Sequence, residues 1–181
     1  MEKKKSYIRQ AIEYLLYLGV MCIFAFVVVE FVGQRTEVSG QSMMNTLMDG
    51  DQLLIDKISY NFNDPQRFDI IVFPYEEDKL YIKRIIGMPG ETVQIDEDGV
   101  IYINGEKLEE SYGNAVILES RIGLASEPVL LGEDEYFVLG DNRNDSRDSR
   151  MEDVGNVRRE EIVGKAWIRI YPFDEAGMLK P

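Results

Sequence analysis

Apolar and polar positions divide the chain into two parts with different periodicity. Residues 14–29 contain no charged side chain, and neighbouring apolar residues extend this run to about 11–33. A helix over 11–33 would be roughly 34 Å long at about 1.5 Å per residue, enough for the hydrocarbon core of a membrane. More basic residues precede the run than follow it, Lys3, Lys4, Lys5 and Arg9 against Arg35. The pattern predicts a transmembrane helix over 11–33, a cytoplasmic tail over 1–10 and an extracytoplasmic remainder over 34–181.

A cleaved signal peptide and a buried core helix are the two alternatives for this run. The first would have a shorter apolar stretch followed by small residues in an A-x-A pattern, but residues 33–36 read Gly-Gln-Arg-Thr. A buried core helix would show a polar face, and the centre of this run shows none. Both observations favour an uncleaved anchor in the cell membrane, so membrane lipid is an expected partner.

From Val38 onward, short β-branched and aromatic segments alternate with turn residues. The segments are 52–55, 68–73, 80–86, 92–95, 100–103, 136–139 and 166–171. Turn pairs such as Asp49-Gly50 and Asn104-Gly105 separate them, which is typical of antiparallel hairpins. We predict a mostly β fold, with an antiparallel β-sheet domain after the transmembrane helix. Residues 91–131 carry their own hairpin pattern and are predicted to form a small inserted β lobe.

The composition excludes several classes of chemistry. The net charge of −13 argues against a nucleic-acid partner, because such a protein needs a basic surface to neutralise phosphates. The chain has no histidine and one cysteine, Cys22, so it can form no intramolecular disulfide and lacks the usual ligands of zinc. A magnesium or calcium site built from carboxylates remains an alternative, but no metal or cofactor is expected.

Ser42, in the segment 39–47, is the candidate nucleophile. Without histidine a Ser-His-Asp mechanism is excluded, so a reactive serine would need lysine, aspartate or glutamate as its base. Lys83 is the strongest candidate. Side chains alternate along a strand, so Lys83 and Arg84 point to opposite faces and one of them has to face an apolar setting. Desolvation lowers the pKa of a lysine, and a shift from about 10.4 to about 8 corresponds to roughly 3 kcal/mol.

Taken singly, a serine in such a turn and a lysine in a strand are usually structural residues. A third segment supports reading the two as parts of one site. Residues 140–150 are dense in Asp, Asn, Ser and Arg. A calcium loop is excluded by spacing, because the sixth position from Asp141 is Ser146, where glycine is required. A solvated loop is the other alternative. The composition favours a rigid loop held by side-chain to backbone hydrogen bonds and an Asp148–Arg150 ion pair.

Together these segments resemble the bacterial type I signal peptidase family, in its Ser/Lys branch. The sequence boxes of that family appear in order, at residues 40–47, 50–57, 67–73, 81–90, 140–150 and 162–166. The similarity covers nearly the whole chain, including the predicted anchor, and is highly specific.

The resemblance implies a membrane-bound serine endopeptidase that removes signal peptides from exported preproteins. Ser42 would attack the scissile carbonyl, with its own backbone N–H binding the oxyanion, and Lys83 would act as general base and then as general acid. Ser146 would hydrogen-bond Lys83 and orient it, while Asp148 and Arg150 would brace the loop. The substrate is expected to bind extended, as an added strand at a sheet edge.

Two positions depart from the family pattern. The family usually has proline where this chain has Asn45, so the turn after the nucleophile loses a fixed φ, although asparagine is a competent turn residue. Some members also supply a serine two residues before the nucleophile as a second oxyanion donor. Gly40 stands there in this chain, and Ser39 lies one place too early.

Two other functions fit parts of the sequence. An anchored β domain that binds extended peptides without cutting them is suggested by Asn45, but the intact Ser42, Lys83 and Ser146 argue against it. A self-cleaving Ser/Lys protease of the repressor type uses similar chemistry. The predicted span at 11–33 and the lack of a DNA-binding segment argue against that function.

Overall fold

The computed structural model describes residues 2–27, 33–76 and 79–179. One α-helix, α1, runs over Glu2–Val27. No helix within the described ranges is both long and apolar enough to cross a membrane. Residues 28–32 of the predicted span lie outside those ranges. The prediction that the helix reaches Gly33 is wrong, because Gly33 begins a strand and pairs with Asp56.

The rest of the described chain is built from short strands joined by turns and 3-10 helices. The strands are β1 Gly33–Glu37, β2 Gln52–Asp56, β3 Ile70–Glu76, β4 Lys79–Gly87, β5 Thr92–Ile95, β6 Ile101–Ile103, β7 Glu106–Lys107, β8 Val129–Leu130, β9 Glu135–Leu139, β10 Val157–Arg158, β11 Gly164–Tyr171 and β12 Gly177–Met178. The 3-10 helices are Ser59–Asn61, Glu119–Arg121, Gly123–Ser126 and Arg159–Glu161. All strand pairs in the described ranges are antiparallel, which confirms the predicted mostly β, antiparallel fold.

The larger sheet has the strand order β1-β2-β11-β3-β4-β9-β10, with β12 added beside β11. Side chains alternate between its faces, so Leu53 and Ile55 of β2 are buried while their neighbours on the strand are partly exposed. They pack with Met43 and Leu47, which follow β1. The segment after β1 is therefore held against the sheet by apolar side chains.

The smaller sheet has the order β7-β6-β5-β8 and lies within the segment for which an inserted lobe was predicted. Its Val93 and Ile95 pack in one cluster with Phe137 and Leu139 of β9. The two sheets meet closely, since an added Cβ at Gly87 would lie 2.4 Å from Val93. The smaller sheet thus shares a core with β4 and β9, and the lobe boundaries stay a prediction.

The two halves of β4 have different neighbours. Its first half pairs with β3, where Lys83 lies opposite Ile71. Its pairing with β9 begins only at Arg84, opposite Leu139. On that side, the part of β4 before Arg84 borders a cleft, and no strand in the described ranges pairs with it there. Because β9 pairs with β4 only from Arg84 onward, Lys83 borders the cleft, and the candidate site lies there.

Candidate active site

Ser42 lies in a tight turn that apolar side chains hold in place. Met44 N–H donates to the Gln41 carbonyl at 3.1 Å, and Leu47 N–H donates to the Met43 carbonyl at 2.8 Å. Met43 and Leu47 point into the core, with at most 1% of their surface exposed. Ser42 itself is half-buried. The turn therefore presents one hydroxyl from a backbone that the core fixes.

Lys83 is brought to Ser42 from β4. Its Nζ lies 2.9 Å from Ser42 Oγ and donates to the Ile82 carbonyl at 2.9 Å. The side chain is 3% exposed, and the ring of Tyr81 has its centroid 4.6 Å from Nζ. Burial lowers the pKa of Lys83 to about 8, although the carboxylates of Asp148 and Asp141 favour the charged form. At neutral pH a fraction of about one tenth of the amine is then uncharged.

Ser146 does not make the predicted hydrogen bond to Lys83. Its hydroxyl is buried and has no hydrogen-bond partner within the described residues. The lysine amine is instead occupied by Ser42 and by the Ile82 carbonyl. Ser146 Oγ lies beside Gly140, where an added Cβ would be 2.2 Å away. The orienting role of Ser146 stays a prediction.

Asp148 and Arg150 form the ion pair expected from the sequence. Arg150 donates twice to the Asp148 carboxylate, at 2.7 and 2.8 Å, and both side chains are fully buried. The same carboxylate accepts from Gly140 N–H at 3.0 Å, and Arg150 also donates to the Arg121 carbonyl at 2.9 Å. The Asp148–Arg150 pair therefore connects the two ends of the loop 140–150 and holds Gly140 next to the nucleophile turn.

A second buried ion pair joins Arg84 to Asp141, which sequence analysis did not identify. Arg84 Nε and Nη2 donate to the two carboxylate oxygens at 2.9 and 2.7 Å, with both side chains fully buried. Thr46 Oγ1 donates to the same carboxylate. From the alternation of side chains along a strand we expected one of Lys83 and Arg84 to face an apolar setting. In the structure both side chains are buried. Arg84 is accommodated because a carboxylate distant in sequence compensates its charge.

Asn142 links the loop 140–150 directly to the nucleophile turn. Its backbone N–H donates to the Ser42 carbonyl at 3.0 Å, and its side-chain amide donates to the Gln41 carbonyl at 3.1 Å. An added Cβ at Gly140 would lie 2.4 Å from the same Ser42 carbonyl. Only glycine fits between the two segments, so the sequence signal for this contact was the glycine at the start of the polar run.

Ser42 and Lys83 open into a cleft of about 250 Å³. One wall is formed by residues 36–43 and the other by residues 80–83 of β4, with Asp145 and Arg147 also lining it. Both walls are extended over part of their length, so the cleft suits an extended peptide. Within the described part of the chain, no group of three or more Asp, Glu, His or Cys side chains is arranged to hold a metal ion.

Comparisons with known proteins find a matching family and several similar chains. A family model described as signal peptidase, peptidase S26, matches residues 11–171. A signal peptidase I of Leptolyngbya laminosa is 39% identical over 173 residues, covering 91% of this chain and 81% of the relative. A signal peptidase I of Bacillus caldolyticus is 38% identical over 154 residues, covering 80% and 83%. The crystal structure of a signal peptidase I from Enterococcus faecalis V583 is 38% identical, with a TM-score of 0.47, and covers 57% of this chain and 97% of that one.

The family model spans most of the chain, and relatives above 30% identity are matched over most of their own length. The chain is therefore an enzyme that belongs to the signal peptidase family, peptidase S26.

Proposed function

We propose that this enzyme cleaves signal peptides from exported preproteins by a Ser42/Lys83 mechanism. The observation that carries the proposal is the 2.9 Å separation of Lys83 Nζ and Ser42 Oγ, with a nearly fully buried lysine. Because Lys83 is buried, a fraction of its side-chain amine is uncharged near neutral pH, and a general base has to be uncharged to accept a proton. The names of the relatives support signal peptides as the substrate class.

In the first step, neutral Lys83 accepts the proton of the Ser42 hydroxyl while Oγ bonds to the carbonyl carbon of the substrate. The carbonyl oxygen takes up the negative charge and accepts a hydrogen bond from the Ser42 backbone N–H. The Lys83 ammonium then gives its proton to the leaving amine as the peptide bond breaks. An ester between Ser42 and the signal peptide remains.

In the second step, a water molecule replaces the leaving chain. Lys83, again neutral, takes a proton from that water, and the resulting hydroxide adds to the ester carbonyl. The ammonium returns the proton to Ser42 Oγ as the signal peptide leaves with a free carboxylate. One lysine therefore serves both half-reactions, and no metal or cofactor takes part.

Ser146, Asp148 and Arg150 are proposed to support this dyad. Asp148, paired with Arg150, accepts a hydrogen bond from Gly140 N–H and so braces the loop 140–150. The same loop contacts the nucleophile turn, because Asn142 N–H donates to the Ser42 carbonyl. Ser146 has a buried hydroxyl without a partner among the described residues, so its oxygen is free to accept a hydrogen bond from the Lys83 ammonium. We propose that it does so when the Ser42 proton has left.

The substrate is proposed to bind as an extended strand between the two walls of the cleft. The edge of β4 before Arg84 supports this proposal, because β9 does not pair there. Backbone groups at a strand edge give affinity, and the space between strands selects side-chain size. A cleft of about 250 Å³ favours small residues before the cut.

The apolar segment that begins at residue 11 and precedes β1 is proposed to anchor the enzyme in the cell membrane, with residues 1–10 cytoplasmic and the β domain outside. Apolar side chains on the described part of α1 support this, since Leu15, Leu16 and Leu18 are each at least 60% exposed. An apolar surface of this kind is satisfied by lipid. The anchor would hold Ser42 close to the outer leaflet, where a signal peptide remains in the bilayer.

Replacing Ser42 tests the proposal directly. S42A removes the attacking oxygen, so we expect cleavage of a preprotein to fall at least about 1,000-fold, because the nucleophile and its base act as a unit. S111A is the matched control, since Ser111 is exposed and lies outside the cleft. Mass spectrometry of the products gives both the rate and the cleavage site. Preprotein cleaved by S42A at the wild-type rate would refute the proposal.

A further inference from the structure

A cluster of three side chains, one of which lines the active-site cleft, takes no part in the mechanism described above. Tyr75 OH donates to the carboxylate of Asp153, and Arg147 Nε donates to the same carboxylate at 2.6 Å. Arg147 also lies over the Tyr75 ring, 5.8 Å from its centroid. We call Tyr75, Arg147 and Asp153 the clamp. It links Tyr75, near the end of β3, to Arg147 of the loop 140–150 and to Asp153, which is 78 residues from Tyr75 in sequence.

The clamp reaches Lys83 through stacked rings. Tyr75 and Tyr81 are nearly parallel, at 13°, with centroids 4.3 Å apart. The Tyr81 ring also meets the Phe73 ring edge-on, with centroids 6.1 Å apart, and it faces the Lys83 amine, 4.6 Å from its centroid. Tyr75 therefore lies between Asp153 and Tyr81, and fixing its hydroxyl fixes the ring that Tyr81 stacks on. A ring that cannot rotate away keeps water from the amine on that side.

The charges around Lys83 do not explain its low proton affinity. The carboxylates of Asp148 and Asp141, from the loop 140–150, both favour the charged amine. Each of them is already paired, with Arg150 and Arg84 respectively. Ser42 contributes only a neutral hydroxyl from the nucleophile turn. Exclusion of water is thus the factor that favours the neutral form, and the Tyr81 ring supplies part of that exclusion.

We propose that the clamp is a positioning element that holds the Tyr81 ring over the Lys83 amine and thereby keeps this base dry and uncharged. The inference rests on the proposed role of Lys83 as general base. None of the three clamp residues touches the reacting atoms, so their effect passes through Tyr81. Arg147 and Asp153 are 58% and 39% exposed, so replacing their charge leaves the protein core intact.

Two substitutions break the clamp without removing a ring. D153N takes away the carboxylate that receives both bonds, and Y75F takes away only the Tyr75 hydroxyl. With either change, Tyr81 loses the fixed ring on which it stacks, water reaches the amine from that side, and the pKa of Lys83 rises toward its ordinary value. We expect the rising limb of kcat/KM against pH to move upward by at least about half a pH unit. Rates at pH 7 then fall several-fold, while rates well above pH 9 converge with wild type.

A merely structural role would lower the rate equally at every pH and leave the limb in place. E152Q is the matched control, because Glu152 is the exposed neighbour of Asp153 and its loss removes one carboxylate without breaking the clamp. The double variant Y75F/D153N should shift the limb no further than D153N alone, since D153N already removes the carboxylate that the Tyr75 hydroxyl binds. Additive shifts, or an equal shift in E152Q, would overturn the proposal.

Competitive acetylation of the full-length protein, read by mass spectrometry of the Lys83 peptide, tests the clamp without relying on catalysis. In S42A, the pH at which Lys83 becomes reactive should be near 8, and it should rise in S42A/D153N. An unchanged value in S42A/D153N would overturn the clamp proposal even if Lys83 is the base. A shifted value in a protein whose kcat/KM does not follow it would instead contradict the proposed role of Lys83.

Discussion

Asn45 occupies a backbone conformation that few side chains tolerate. Its φ is +74°, in the left-handed region, where asparagine and glycine are the usual residues. Proline has φ fixed near −65° and cannot adopt it. Asn45 therefore fits the turn that the structure has, and proline at this position would not.

Substitutions at Asn45 follow from this conformation. N45G keeps the left-handed region accessible, so we expect cleavage within about threefold of wild type. N45P forces the turn to rearrange two residues from Met43 and three from Ser42, so we expect at least a tenfold loss of kcat, of the order that small misplacements cause. Preprotein cleavage under single-turnover conditions measures both. N45P as active as N45G would show that the turn does not depend on this φ.

Individual site residues differ in how far the sequence reveals them. Ser42 and Lys83 were predicted because a chain without histidine has few bases for a serine, and the structure places their functional atoms 2.9 Å apart. The partner of Arg84 was not predicted. Asp141 lies 57 residues away, and no local pattern encodes which carboxylate a buried guanidinium meets.

At the scale of elements, the Arg84–Asp141 pair joins β4 to the loop that follows β9. Removing one partner of a buried pair leaves an uncompensated charge, which costs about 3–5 kcal/mol. We therefore expect R84M to lower the free energy of unfolding by about that amount. Chemical denaturation followed by circular dichroism measures it.

R158M is the matched control for R84M. Arg158 is 61% exposed and lies 3.8 Å from Glu160, an ion pair that is expected to contribute less than about 1 kcal/mol. Equal unfolding free energies for R84M and R158M would contradict the view that the Arg84–Asp141 pair holds β4 to this loop.

The alternating apolar segments predicted the main strands, and each of them overlaps an observed strand. The predicted strand bounds were less accurate where the apolar pattern and the backbone conformation differ. Strand β3 begins at Ile70 rather than Phe68, because Phe68 has a φ of +72°, outside the strand region. Strand β1 was missed, since Gly33–Glu37 has no apolar alternation and is a strand only through its pairing with β2.

At the scale of the whole molecule, the site depends on segments that approach from distant parts of the chain. The nucleophile turn and the loop 140–150 are joined by Asn142, 101 residues from Gln41. Periodicity predicts elements and not which loops meet, so only the resemblance to a family implied this assembly. The connection that follows β7 adds a second attachment, because Glu110 pairs with Arg143 at 2.6 Å.

The proposed topology predicts which parts of the chain a membrane-impermeant maleimide labels. In a C22S background, E127C in the β domain should be labelled in intact cells, because Glu127 is exposed and proposed to lie outside. K4C should be labelled only after permeabilisation, since Lys4 precedes the proposed anchor. Labelling is read as a mass shift on a gel. Labelling of K4C but not E127C in intact cells would reverse the orientation.

The central claim is that an uncharged amine at position 83 takes the proton of Ser42. Arginine keeps the positive charge but does not deprotonate in proteins, so K83R separates base chemistry from charge. Lys107 is exposed on the inserted sheet, and K107R is the control for the same exchange. The deciding measurement is the single-turnover rate of preprotein cleavage by K83R and K107R. We expect a loss of at least about 100-fold for K83R and wild-type activity for K107R, whereas K83R at the wild-type rate would contradict the role of Lys83 as the base.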